Sequence, residues 1–133
     1  MTLLTDLAAY LVTNSIGTTS NVFSAVSHFP DSPDLAFMLF DYRGGASDLT
    51  HDHTRLRHAS VQVVTRGTAG NTAGNAGAKT KADAIDTLLD GLANTTVGST
   101  FILLCTAQSP PVTYGPDAKG RPLWEQSFQI MIR

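Results

Sequence analysis

Apolar residues return every three or four positions at Leu3, Leu4, Leu7, Ala8, Leu11 and Val12. That spacing predicts an amphipathic opening helix, with Thr2 or Thr5 as its N-cap and Gly17 as its stop. Asn21 to Val26 leans toward a short strand. The punctuation of Pro30, Asp31, Ser32, Pro33 and Asp34 forces a turn before the continuous apolar run Leu35 to Tyr42, a buried strand. A polar stretch over 42–54, holding Gly44, Gly45, Ser47 and Asp48, reads as a loop. It leads into a strand over Arg55 to Arg66, with Ala59, Val61 and Val63 on a packed face and Ser60 and Gln62 on a wetter one.

The tract Gly67 to Gly77 repeats Ala-Gly-Asn at 69–71 and 73–75 and offers nothing to bury, so it is predicted to be a flexible loop. Ala78, Ala82, Ile85, Leu88, Leu89 and Leu92 mark a second amphipathic helix capped by Thr80 with Asp83 three residues on. Phe101 to Ala107 is a further apolar strand. From Arg121 the last strand sets Trp124, Phe128, Ile130 and Ile132 against Glu125, Ser127, Gln129 and Arg133. The turn chemistry of Pro116-Asp117-Ala118-Lys119-Gly120 lets Val112 to Tyr114 pair with Arg121 to Leu123. Consecutive strands are joined mostly by turns. The expectation is an α+β fold in a single domain spanning 1–133: a mainly antiparallel sheet with two helices packed on one face and an extended C-terminal hairpin.

A chain of 133 residues can bury a core without staples, and its single cysteine, Cys105, cannot pair within the chain. The apolar runs Phe37 to Phe40 and Phe101 to Cys105 fall far short of the roughly twenty residues a membrane helix needs, so no membrane partner is expected. The first fifteen residues carry Asp6 and no Lys or Arg, unlike a secretion leader, which points to use inside a cell or export within something larger. Net charge is −2 and charged residues make up 15% of the chain, where about 25% is ordinary. A neutral, threonine- and glycine-rich surface suits a subunit covered by protein neighbours.

Candidate chemistry is sparse. The stretch Gly70 to Thr80 has the setting of a phosphate-binding loop, with Lys79-Thr80 at its end and Asp41 at the end of an apolar run as a magnesium candidate. The spacing fails, because Ala78 precedes Lys79 and the glycines fall at 70, 74 and 77. A small nucleotide-binding enzyme built on that loop is the rival reading. His51, Asp52, His53 and His58 could be metal ligands, but no second ligand pair accompanies them. No nucleophile elbow or paired catalytic carboxylates are evident, so no catalytic, metal or cofactor residues are assigned. Arg55, Arg57 and Arg66 make a small basic patch that reads as a strand end with solvated arginines rather than a nucleic-acid grip. Lys79 and Lys81 near the start of the second helix, with Asp86 and Asp90 near its end, oppose the helix dipole. They would suit a head-to-tail contact between copies.

From Arg55 onward the chain resembles the tail terminator and minor capsid proteins of long-tailed bacteriophages. The resemblance rests on the strand Ala59-Ser60-Val61-Gln62-Val63-Val64-Thr65-Arg66-Gly67, the helix Ala82 to Leu92, and the ending Pro110 to Trp124. That ending is similar to the family's Gly-x-Asp-x-x-Gly-Arg hairpin at Gly115 to Arg121. The chain departs from the family in its Ala-Gly-Asn tract and in having Ser127 where Asn is common. The resemblance implies a non-enzymatic virion subunit, assembled in the host cytoplasm, that forms a homo-oligomeric ring, usually of six. Such a ring caps the tail-tube protein, meets a head-completion or connector protein at the head-tail junction, and passes the genome without sequence-specific binding. A capsid-side connector or a tail-tube subunit is the neighbouring alternative. Expected contact segments are 42–54, 67–78 and 108–124, with Arg43, Asp48, Arg55, Arg57, Lys79, Lys81, Asp86, Asp90, Tyr114, Lys119 and Arg121 as interface residues. Their glycines are expected to let these segments order only on assembly.

Overall fold

A computed structural model describes residues 2–24, 28–49, 55–70 and 72–133, with side chains described except at Thr2, 42–49, Arg55, Thr72 and Tyr114. The elements are α1 (Thr2–Thr13), β1 (Val22–Phe23), β2 (Ala36–Leu49), β3 (Arg55–Arg66), α2 (Thr72–Leu89), β4 (Ala93–Val97), β5 (Thr100–Ala107), β6 (Val112–Pro116) and β7 (Pro122–Ile132). The expected α+β architecture is present. A seven-stranded sheet runs β1-β2-β3-β7-β5-β4, with β6 also on β7. Every pairing is antiparallel except the two-residue β1–β2 ladder.

The core lies between one face of the sheet and both helices. Leu3, Leu7 and Leu11 of α1 and Ile85 and Leu89 of α2 pack with Phe37, Leu39, Val61, Val63, Ile102, Cys105, Phe128 and Ile130. Burial pushes the Cys105 thiol up to about 12, with Asp90 adding to the shift, so it stays a neutral packing group. The opposite face of β3 and β7 carries a polar ladder. Ser60 donates to Gln129 Oε1 at 3.0 Å, and Gln62 Nε2 donates to Glu125 at 3.1 Å.

α1 stops differently from the sequence expectation. Ile16 N–H donates to Leu11 O and Ser15 N–H to Val12 O, a Schellman closure with Ser15 at φ 62°. Gly17 is needed for packing instead: a Cβ there would sit 2.6 Å from Val22 Cγ2. At the far end of α1, the Asp6 carboxylate accepts from Thr100 Oγ1 at 2.6 Å and from Ser99 N and Oγ at 3.2 Å. This ties α1 to the β4–β5 turn. The Thr100 hydroxyl, outweighing the effect of burial, holds Asp6 below its ordinary pKa.

Three expectations are corrected. The stretch 42–49, read as loop, continues β2 as backbone ladder to Leu49↔Arg55, accommodating its glycines through irregularities between Asp41/Arg43 and Gly44/Ser47. Residues 50–54, with His51, Asp52 and His53, lie outside the described residues. The tract read as a flexible loop over 67–77 is largely helix, because α2 begins at Thr72 rather than beside Thr80. Thr80 is therefore mid-helix, and its hydroxyl donates to Ala76 O at 2.9 Å. β4 was not anticipated: in Ala-Asn-Thr-Thr-Val only Val97 is buried, so it carries no apolar alternation.

The glycines of α2 divide by role. A Cβ on Gly74 would collide with the Thr68 carbonyl, whereas Gly77 has open space beside it. Gly74→Ala should lower stability by about 1–3 kcal/mol, while Gly77→Ala should raise it by about 0.5–1 kcal/mol. Urea denaturation of the two variants checks this, and equal effects would contradict the close-approach account.

Candidate assembly site

At one end of the sheet the strap over 28–34, the end of β3 and the β6–β7 turn meet around two buried arginines. Arg66 is 2% exposed and Arg121 5%. The Arg66 guanidinium donates to Pro33 O at 2.6 Å and Asp34 O at 3.0 Å, and its carbon lies 4.2 Å from the Phe29 ring centroid. Arg121 donates from Nε to Asp117 Oδ2 at 2.8 Å, from Nη1 to Asp31 O at 2.6 Å and Asp34 Oδ1 at 3.3 Å, and from Nη2 to Asp31 Oδ1 at 3.1 Å. Lys119 adds an ion pair to the other oxygen of Asp31. Three carboxylates thus face three cations, and the cluster is neutral as a set. The sequence expectation of solvated arginines at this strand end is overturned for Arg66.

The local sequence explains the turn. Gly115 and Gly120 take φ of 105° and 77°, conformations open to glycine. Asp117 Oδ1 accepts from the amides of Lys119 and Arg121, both at 2.9 Å, while the Asp117 amide donates to Arg121 O and the Gly120 amide to Asp117 O. Glycine, aspartate, glycine and arginine in this hairpin therefore have linked tasks: two bends, a carboxylate cap, and a cation that joins the capped turn to the strap.

The other expected contact residues have varied surroundings. Lys79 is exposed, pairs with Asp83 at 2.8 Å and lies 5.6 Å from the Trp124 ring centroid. Asp86 accepts from Gln126 Nε2 at 2.6 Å, and Asp90 caps the amide of Ala107 at 2.8 Å. Because α2 begins at Thr72, Lys79 and Lys81 stand mid-helix rather than near its start, and only Asp86 and Asp90 oppose the helix dipole; those two serve the β5–β7 region. Lys81 is half-buried, and Arg57 and Lys119 are exposed. The side chains of Arg43, Asp48, Arg55 and Tyr114 lie outside the described residues. Arg121 is placed inside the chain's own cluster rather than on an open surface.

The pieces of the nucleotide-binding alternative are not arranged as a phosphate cradle: residues 72–80 are helical, Lys79 pairs with Asp83, and Asp41 stands on β2 across from Val61. No group of three or more His, Cys, Asp or Glu suited to a metal occurs among the described residues. An open hollow of about 310 Å³ beside the hairpin is lined by glycines, prolines, Asn75 and Thr113, without an acid or base. No helix among the described residues is long and apolar enough to cross a membrane.

Charge around the cluster sets a pH dependence. The Lys119 hydrogen bond, with further help from Arg121, holds Asp31 below its ordinary value of 3.8. Burial raises Asp117, but bonds from the Arg121 amide and side chain and from the Lys119 amide outweigh it and leave the pKa lowered. Depressed native carboxylates contribute stability that is complete above the ordinary pKa and disappears as pH falls through the native values. The unfolding midpoint should drop below about pH 4. Asp117→Asn should lower the midpoint at neutral pH and flatten its acid decline, measured by thermal melts from neutrality downward; parallel curves for the two proteins would remove this tie from the account of stability.

Comparison with known proteins agrees with this architecture. The solved structure of a native gene transfer agent virion contains a chain of the same fold. It aligns with a TM-score of 0.58 and 18% identity, covering 96% of this chain and 89% of that one. No curated protein matches the chain. The model of a bacteriophage tail terminator protein family matches residues 10–133, which include the sheet, α2, the whole hairpin and only the last turn of α1. The chain belongs to the bacteriophage tail terminator protein family and is a structural phage tail protein.

Proposed function

We propose that this protein closes the growing tail tube as a non-enzymatic ring, with six copies as the expected number, and presents the surface on which the head is joined. The observation that carries the reading is the family match over 10–133, which takes in the sheet, α2 and the hairpin. The polar geometry supports it. The acids and cations best placed to do chemistry are engaged in holding one element to another, as Asp6, Asp86, Asp90, Asp117 and Arg121 are. Such a chain acts through its shape and its neighbours.

Area sharpens the requirement. An obligate interface commonly buries about 2,000 Å² in total, so a ring subunit with two neighbours gives up about 1,000 Å² at each. Together these amount to roughly a quarter of the 7050 Å² surface, before contacts with the tube are counted. A surface poor in charge lowers the desolvation cost of covering so much area. The hairpin over 108–124, the β2–β3 ribbon and the start of α2 are the proposed contact segments. With a net charge of −2 the subunit has no excess of cations to grip passing DNA, in keeping with a genome that slides through the ring.

Particles produced without this protein separate the possibilities. Tails of uncontrolled length, unattached to heads, are the expected result. Tails of normal length beside unjoined heads would instead assign it to the capsid-side connector, and complete loss of tails to the tube itself. Fully normal particles would refute all three roles.

A further inference from the structure

We propose that Arg121 is a positioning residue for assembly: it locks the β6–β7 turn and the 31–34 strap into one rigid element in the free subunit. The assembly role rests on the ring reading above; the rigidity does not.

Asp31, Asp34 and Lys119 have side chains that are 66%, 56% and 60% exposed, so the strap and the turn are not anchored there by apolar burial. Open space surrounds the positions where Gly115 and Gly120 would carry a Cβ, and the Gly120 carbonyl accepts one bond from outside the turn, from the Gly70 amide at 3.2 Å. An exposed turn with two glycines at positive φ would ordinarily move freely. Here Asp117 satisfies the amides of Lys119 and Arg121 through its carboxylate, and the Gly120 amide through its carbonyl. Arg121 then carries that capped turn onto Asp31 and Asp34.

The arrangement carries a desolvation cost. Two guanidinium groups are withdrawn from water near one another: burial and the charge of Arg121 lower the Arg66 pKa, whereas for Arg121 burial is outweighed by the bonds to Asp117, Asp34 and Asp31, which raise its pKa. Buried charge networks of this kind are often no more stabilising than apolar packing of the same volume, but they accept only one geometry. A single geometry is what a docking element gains from, since a turn already ordered loses little freedom on binding. This end of the hairpin is therefore preformed, in contrast to the expectation that it orders on assembly.

The test compares wild type with Arg121→Met and Arg121→Lys. Amide hydrogen exchange on the free protein should show Asp117, Lys119, Gly120 and Arg121 protected in wild type. Exchange there should be at least about tenfold faster in Arg121→Met, with β3 and β7 unchanged. Lysine keeps the charge but cannot reach Asp31, Asp34 and Asp117 together, so Arg121→Lys should not restore protection. Sedimentation with purified tail tubes should show at least about tenfold weaker association for both variants, although their strands remain protected. If either variant fails to fold, Asp34→Asn, which removes one exposed acceptor, takes its place with a smaller shift in the same direction. Rapid exchange of the wild-type turn would overturn the rigidity. Wild-type association by a folded variant with a loosened turn would overturn the positioning role. Failure of the wild-type protein itself to associate would overturn the ring reading and the assembly role with it, while the exchange result would stand.

Discussion

The pairing of β7 on both edges is the constraint from which the rest of the structure follows. β3 lies along one edge of β7 from Arg57↔Ile132 to Arg66↔Leu123, while the other edge takes β5 over Phe128–Ile132 and then β6 over Pro122–Glu125. Because side chains alternate, this register sends Phe128 and Ile130 into the core and leaves Glu125, Ser127 and Gln129 on the opposite face. A shift of one residue would exchange those sets. The last strand of the chain is therefore the one that joins the two halves of the sheet.

Polar side chains secure what the apolar core does not reach. Asp6 joins α1 to the β4–β5 turn, and Arg121 joins the β6–β7 turn to the strap before β2. Between them, buried Gln126 donates to Asp86 on α2 and to Ser109 O in the crossover from β5 to β6, leaving its Oε1 without a protein partner. Each tie joins separate elements of the fold. Asp86 on α2 and Asp90 just past its end belong to this system: they satisfy groups on β7 and β5, and the small unfavourable effect on the helix dipole is the lesser consideration.

These ties bear on how a tail protein works. On the proposed ring reading, a subunit that meets sister copies and a tube needs surfaces held in fixed relation to its core, and the hairpin turn is held by donors and acceptors inside the chain itself. The family match places this architecture among phage tail proteins, and a chain of a gene transfer agent virion shares its fold. The hairpin motif that carries the family resemblance is also the segment in which glycine, aspartate and arginine do connected physical work.

Hydrophobic spacing determined α1 and the last strand, and an apolar run the strand over 101–107, whereas turn chemistry placed the last hairpin, in which Val112 and Thr113 pair with Glu125 and Trp124 rather than within 121–123. The cap, turn and arginine at 115–121 were legible as turn chemistry, but their junction with Asp31 and Asp34 was not, since no local rule brings residues nearly ninety positions apart together. Composition argued for a loop at 67–77, and the fold made most of it helix, because Gly74 permits an approach to Thr68 whose value appears only once strand and helix are packed. Likewise Arg66, read as a solvated arginine, and Arg121, read as a contact residue, are both buried in the structure. Hydrophobic spacing is a local property and can be read along a sequence, whereas close approach and charge neutralisation belong to pairs of surfaces and exist only after the chain has folded.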